Sequence, residues 1–480
     1  MTASSGDGGR TATDIAETGV QFAEARATAA PARPPRSATV TWINLCGFAG
    51  FVAATMIVPR FGLPTLPLML VLLAVPAAII IGLEAIFIRD RIPFQPINPR
   101  GYAATPAGVP AVRRKYLKMV GLAVSIAAVA AVFWLFPLYR GGGANQLIEI
   151  VKALWLPFVI LAPVYIWLVD DRMEEPEDGY FHLGLLVTGS WHLADRDILK
   201  QHALQWAVKA FFLPLMLGFF ANDLTWLAAN PIEKVAAPFL SGPAATTWFA
   251  VYEFLYRYLF LIDVALASAG YILTLKLFDS HLRSAEPTLL GWLACLACYP
   301  PFWSVIGPQF LHYDGGTTWG DWFANWPAVK VFWSLVILTA VGIYVWATIQ
   351  FGVRFSNLTH RGILTNGPYR WLKHPAYLSK NISWWLVSMP FLSTMGPVEA
   401  IRTSLLLLAV NSIYYMRAKT EEKHLSNDPI YREYLAFMRE NDLFAVARRW
   451  IRSMVPPAHH SALRDNQAGS GSRAAVEDLD

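Results

Sequence analysis

The residues best suited to chemistry stand in one polar, basic run, Arg361-Gly-Ile-Leu-Thr-Asn-Gly-Pro-Tyr-Arg-Trp-Leu-Lys-His-Pro-Ala-Tyr-Leu-Ser-Lys-Asn381. Gly367-Pro368 marks a turn. Pro375 suits the first position of a helix, where its missing N–H costs nothing, and it places Tyr377 in the first turn. A helix start leaves free N–H groups that can hold an anion. A second block follows, Arg417-Ala-Lys-Thr-Glu-Glu-Lys-His-Leu425, and then Tyr431-Arg-Glu-Tyr434. Glu421 and Glu422 can accept hydrogen bonds from ammonium or hydroxyl groups. Arg417 can fork onto a carboxylate, and tyrosine faces attract a cation. Blander readings fit the same residues. His374 can cap a helix, Arg417 and Glu421 are spaced as a helix-surface ion pair, and Tyr431 and Tyr434 suit a membrane-interface belt.

Two short apolar segments, 382–395 and 398–416, separate the blocks. Gly396-Pro397 joins them so tightly that they read as a helical hairpin, which returns the chain to the face it left. The rest of the chain has the same character. Of 480 residues, 55% are apolar and only 15% charged, too few charges to cover a soluble surface. Apolar runs near 40–58, 63–88, 119–139, 153–169, 205–228, 246–275, 288–306 and 331–350 are long enough to span a bilayer. With the hairpin, the sequence predicts an all-α, polytopic membrane helix bundle of about ten spans. Both termini then share one face. Under that topology 31 of the 39 Lys and Arg fall on the face with the termini and 6 on the other, which places the termini and the motif loops in the cytoplasm. The net charge of +5 thus reflects topology, and no nucleic-acid partner is expected. Residues 1–38 and 456–480 read as disordered tails, 39–330 as an N-terminal bundle of about seven spans, and 331–455 as a C-terminal module.

The two blocks and the hairpin between them resemble the isoprenylcysteine carboxyl methyltransferase family, with the phospholipid methyltransferases as relatives. The resemblance covers about 350–440 and rests on Gly367-Pro-Tyr-Arg-Trp-Leu-Lys-His-Pro-Ala-Tyr377, then Arg417, Glu421-Glu422, Leu425, Tyr431 and Tyr434. It implies an S-adenosylmethionine-dependent integral membrane methyltransferase acting on a lipid-like or isoprenylated acceptor, with carboxyl methylation foremost. By motif position, His374, Pro375, Tyr377, Glu421 and Glu422 would hold the cofactor. Arg417 and Glu421 would be catalytic, with Arg417 near the acceptor. No metal is required. The sequence departs from the family pattern at Lys373, Ser379 and Asp428-Pro429. Methyl transfer from a sulfonium to a carboxylate joins a cation and an anion, so it gains from a dry, aligned pocket. Two rivals share the architecture: an NADPH-dependent sterol-type reductase, and a transporter or sensor keeping the module as scaffold.

Other features invite plainer readings. Glu253 and Arg257 are spaced to pair within a span, and Lys209 and Asp223 to snorkel from span ends. The basic residues of 89–118 are expected to face headgroups. His182, His192 and His202 lack the clustering of a metal site. Cys295 and Cys298 read as packing residues, and Arg140-Gly-Gly-Gly-Ala144 lacks a nucleotide-loop spacing. Trp319, Trp322 and Trp326 suggest an interfacial lid in the loop 307–330.

Overall fold

The computed structural model describes residues 33–88, 110–136, 143–236 and 244–454. The expectations for 1–32, 89–109, 140–142 and 456–480 lie outside those residues. The described chain is built almost wholly of helices. In order they are α1 (Thr41–Ile57), α2 (Thr65–Phe87), α3 (Ala111–Leu135), α4 (Gly143–Asp170), α5 (Gly179–Val187), α6 (Arg196–Ala229), α7 (Ile232–Ala236) and α8 (Ala244–Ile272). There follow α9 (Leu289–Leu296), α10 (Phe302–Phe310), α11 (Trp319–Trp322), α12 (Pro327–Phe351), α13 (Pro375–Ser388), α14 (Pro397–Leu425), α15 (Pro429–Asn441) and α16 (Leu443–Met454). Six of them, α1, α2, α3, α4, α6 and α12, are long and apolar enough to cross a membrane. The protein is an all-α integral membrane bundle. A two-residue strand pair is its only sheet among the described residues: β1 (Ser284–Ala285) runs antiparallel to β2 (Thr359–His360), with Ser284 opposite His360.

Contacts divide the chain into two compact units. Of the described residues, the first joins those within Pro35–Tyr369 with His374–Arg432, and the second includes Arg370–Lys373 and 433–454. In the first, α1, α2, α6, α8 and α12 enclose a core containing Phe51, Met69, Leu217, Phe220, Leu261 and Ile337. Large apolar side chains also point outward, as on α4 with Trp155, Phe158 and Leu161, which is the pattern lipid-facing helices require. Small residues let backbones approach. A Cβ at Gly121 would strike the Tyr180 carbonyl, and one at Gly184 the Leu117 carbonyl, so α3 and α5 pack directly against each other. In the second unit, the Leu443 N–H donates to the Trp371 carbonyl at 2.9 Å and the Tyr434 hydroxyl to the Leu372 carbonyl at 3.5 Å.

The structure corrects several expectations. The run 288–306 is not one span: it breaks at Pro300-Pro301 into α9 and α10. Arg114, Lys115 and Lys118 do not reach for headgroups. They are buried, and each meets an acid. Arg114 forks onto Asp170 (2.6 and 2.9 Å), Lys118 reaches Asp170 at 2.7 Å and Asp178 at 3.3 Å, and Lys115 reaches Asp171 at 2.6 Å. Lys276 adds a contact to Asp178 at 3.4 Å. Burial alone would favour a neutral Asp178. Lys276, Lys118 and the Phe181 N–H together hold its carboxyl below the ordinary range. Arg257 lies over the Trp226 ring at 5.1 Å instead of pairing with Glu253. His182 and His202 are engaged separately, by the Asp195 N–H and the Ser125 hydroxyl. Residues 35–38, read as the end of a tail, are fastened to the loop before the site. The Ala38 N–H donates to Ile363, Ser37 to Asn366 Oδ1, and Thr365 to the Pro35 carbonyl.

Candidate active site

The loop that carries the site is set by one buried cation. Arg361 donates to the carbonyls of Ser280 and Gly270 (both 2.8 Å), Phe355 (2.8 Å), Leu273 (3.0 Å) and Val353 (3.1 Å). A planar guanidinium with five N–H groups is the one side chain that can satisfy so many loop carbonyls. A second buried pair, Arg354 with Glu84 at 2.8 Å, fixes the end of α12. The chain then turns at Gly367, which has a positive φ of 55°. It enters α13 with Pro375 at the first helical position and His374 immediately before it. Pro397 opens α14 in the same way.

The two polar blocks meet between α13 and α14. The Tyr377 hydroxyl donates to Glu421 Oε2 at 2.7 Å. His374 Nε2 lies 3.2 Å from Glu422 Oε1, and Lys419 Nζ lies 2.8 Å from Glu422 Oε2. The His374 and Tyr377 rings stack with centroids 5.4 Å apart and planes 4° from parallel. Arg417 is 7% exposed, and its guanidinium lies over three tyrosine rings: Tyr377 at 4.9 Å, Tyr299 at 5.5 Å and Tyr414 at 6.0 Å. It donates to Asn357 Oδ1. No carboxylate lies within ion-pair distance of it among the described residues, so it does not pair with Glu421. Asn357 Nδ2, fixed as the donor end by that bond, is buried without a hydrogen-bond partner. An unpaired buried cation beside an orphaned buried donor is costly unless an anion completes the set.

All six residues expected from the sequence, His374, Pro375, Tyr377, Arg417, Glu421 and Glu422, are therefore brought together. Residues 329–427 match the isoprenylcysteine carboxyl methyltransferase family model. The match spans about a fifth of the chain and contains both polar blocks, 361–381 and 417–425, while Tyr431 and Tyr434 lie beyond it. No curated protein and no solved structure matches the chain.

The module's departures from the family pattern are accommodated locally. Ser379 is buried and turns its hydroxyl onto the Pro375 carbonyl of its own helix at 2.7 Å. Asp428 accepts the Ile430 N–H at 2.7 Å, and Pro429 opens α15. Tyr431 and Tyr434 are buried at 4% and 2% exposure, so they are not belt residues. Sequence reasoning missed Asn357, Tyr299 and Tyr414. Only Asn357 left a signal, as a polar residue just ahead of the basic run. A cavity of about 640 Å³ elsewhere is lined by Thr65, Gln146, Glu149, Asn222 and Thr225, none of them a residue of this site.

Proposed function

We propose that the protein is an S-adenosylmethionine-dependent membrane methyltransferase that esterifies a carboxylate on a lipid-like or isoprenylated acceptor. The observation that carries this reading is the buried, acid-free Arg417 beside the orphaned Asn357 amide, next to the cluster of His374, Tyr377, Glu421 and Glu422. The donor set fits the cofactor. Glu421 and Glu422 offer acceptors for hydroxyl and ammonium groups, His374 offers a ring nitrogen, and tyrosine faces suit a sulfonium. When bound, S-adenosylmethionine supplies a methyl group on positively charged sulfur.

The chain's own residues do the rest. The Tyr377 hydroxyl orients Glu421, and Lys419 and His374 orient Glu422. Arg417 would fork onto the acceptor carboxylate, with Asn357 Nδ2 donating alongside. The rings of Tyr299, Tyr377 and Tyr414 exclude water from the charges that the reaction neutralises. In this reading the motif loops face the cytoplasm. The module extends over 331–455, and α8 and the hairpin α13–α14 cross the bilayer beside the six long apolar helices. The partners are lipid-like acceptors and membrane lipids.

Calorimetry on detergent-solubilised protein tests the reading. The expected outcome is S-adenosylmethionine binding that His374→Ala and Glu421→Gln weaken at least tenfold, with no NADPH binding. A well-folded protein that ignores S-adenosylmethionine would overturn it.

A further inference from the structure

Arg417 is not the only cation at this site without a direct ion pair among the described residues. One turn along α13 from Tyr377, Lys380 places Nζ 5.0 Å from the Tyr344 ring centroid and 5.8 Å from that of Trp384. Among the described residues no carboxylate lies within 4 Å of it. Asp263 on α8 and Arg417 on α14 both act on Lys380 electrostatically, with opposite sign. Asp263 makes no direct ion pair with Lys380 and accepts two hydroxyls instead. One oxygen accepts the Tyr344 hydroxyl at 2.5 Å and the other the Thr348 hydroxyl at 2.6 Å. The ring cages of the two cations adjoin, because Trp384 beside Lys380 meets Tyr414 beside Arg417 edge-on, with centroids 5.1 Å apart. Behind them a polar chain runs across the hairpin: Trp385 Nε1 donates to Asn411 Oδ1 at 2.8 Å, and Asn411 Nδ2 to Asn381 Oδ1 at 2.7 Å.

Charges inside a membrane module are expensive and persist where they face a partner or a ligand path. One carboxylate needs one fork, and Arg417 supplies it. Lys380 is then surplus to a singly charged acceptor. We infer that Lys380 is a second anion subsite, so that the acceptor head carries two negative groups: the carboxylate that is methylated, held by Arg417, and a second carboxylate or phosphate held by Lys380. The inference rests on the methyltransferase reading for the role of Arg417. The two are tested separately, because the experiment below contains no methyl donor.

The probes are two lipids with the same farnesyl thioether chain, one made from mercaptoacetic acid and one from mercaptosuccinic acid. They carry one and two carboxylates. Equilibrium binding to the purified full-length protein in detergent is expected to favour the dicarboxylate at least tenfold. Lys380→Met and Lys380→Gln should abolish that advantage and leave the monocarboxylate affinity within about twofold, whereas Lys380→Arg should preserve the advantage. A farnesyl phosphate competing more strongly in wild type than in Lys380→Met would assign the subsite to phosphate as well as carboxylate. Equal wild-type affinities for the two thioethers would overturn the inference without any variant. So would a dicarboxylate advantage that survives in both neutral variants. Melting temperatures identify any variant that fails to fold, and the wild-type comparison and Lys380→Arg then decide.

Discussion

Two groups of buried cations in this molecule are solved in opposite ways. In the cluster of α3, the end of α4 and the loop before α5, each cation has an acid: Arg114 and Lys118 share Asp170, Lys115 takes Asp171, and Lys118 and Lys276 share Asp178. In the α13–α14 module, Arg417 and Lys380 have rings instead of acids. The first arrangement is complete within the chain and serves the fold. On the proposed reading, the second is completed by an anion from outside. Burial alone does not distinguish a structural charge from a functional one, and a cation without an acid can also serve the fold where loop carbonyls satisfy it, as at Arg361.

The comparison is broken most severely at its structural end. Asp170→Asn leaves Arg114 and part of the Lys118 contact unbalanced in a site where the Asp170 side chain is wholly buried. Removing one partner of a buried pair costs about 3–5 kcal/mol. The expected outcome is a large drop in melting temperature in detergent, with unchanged methyl transfer per folded molecule. A variant that kept its stability would show that the cluster is not structural.

The functional end should respond in the reverse sense. Arg417→Met replaces a cation that no acid compensates with an apolar chain of similar reach. Stability should hold or rise, while kcat/KM for acceptor methylation falls about 100-fold, equivalent to about 2.7 kcal/mol. S-adenosylmethionine affinity should stay within about threefold. A parallel loss of stability and activity would place Arg417 with the structural cations.

Histidines near the β1–β2 pair give a third, smaller contrast, set by pH. Burial, reinforced by Lys276, Arg283, Arg361 and Arg354, pushes His281 down to about 3. Burial and Arg283 push His360 down to about 4, against the pull of Asp428. Both are neutral in the folded protein well below the unfolded value of about 6.5. As pH falls below 6.5 the unfolded chain gains protons that the folded one does not, so stability falls with pH. The loss approaches about 1.4 kcal/mol per pH unit for each histidine and ends as pH reaches the folded values. Melting temperatures between pH 6.5 and 4.5 should show this slope, and the double variant His281→Gln, His360→Gln should flatten it. An unchanged slope would assign the acid sensitivity to other groups.

Much of the module was legible in the sequence because its chemistry is local. Pro375 and Pro397 mark helix starts, the hairpin is tight, and Glu421 and Glu422 lie near Arg417 on one helix, so two short blocks predict one cluster. What was hidden was long-range. Arg361 was visible only as part of a basic run, yet it gathers carbonyls from Gly270 to Phe355. Tyr299 reaches Arg417 from the segment between α9 and α10, which the sequence presents as one apolar span. Hydropathy located most membrane helices. It misplaced Arg114, Lys115 and Lys118, because a basic residue near a span end has the same local pattern whether it meets lipid or a buried aspartate.

The smallest expected effect probes the boundary between the two kinds of charge. Lys419 is about half exposed and meets Glu422 Oε2 at 2.8 Å, while the other oxygen of Glu422 lies 3.2 Å from His374. It therefore has an acid, as the structural cations do, yet it touches a residue of the candidate cofactor site. An exposed pair is worth well under about 1 kcal/mol, and salt screens it. Lys419→Gln should leave the melting temperature unchanged and weaken S-adenosylmethionine binding only two- to threefold, through looser orientation of Glu422. The difference between wild type and variant should shrink as ionic strength rises. A tenfold loss that persists at high salt would instead mean that Lys419 contacts the cofactor directly, and the line between paired structural charges and unpaired functional ones would have to be redrawn.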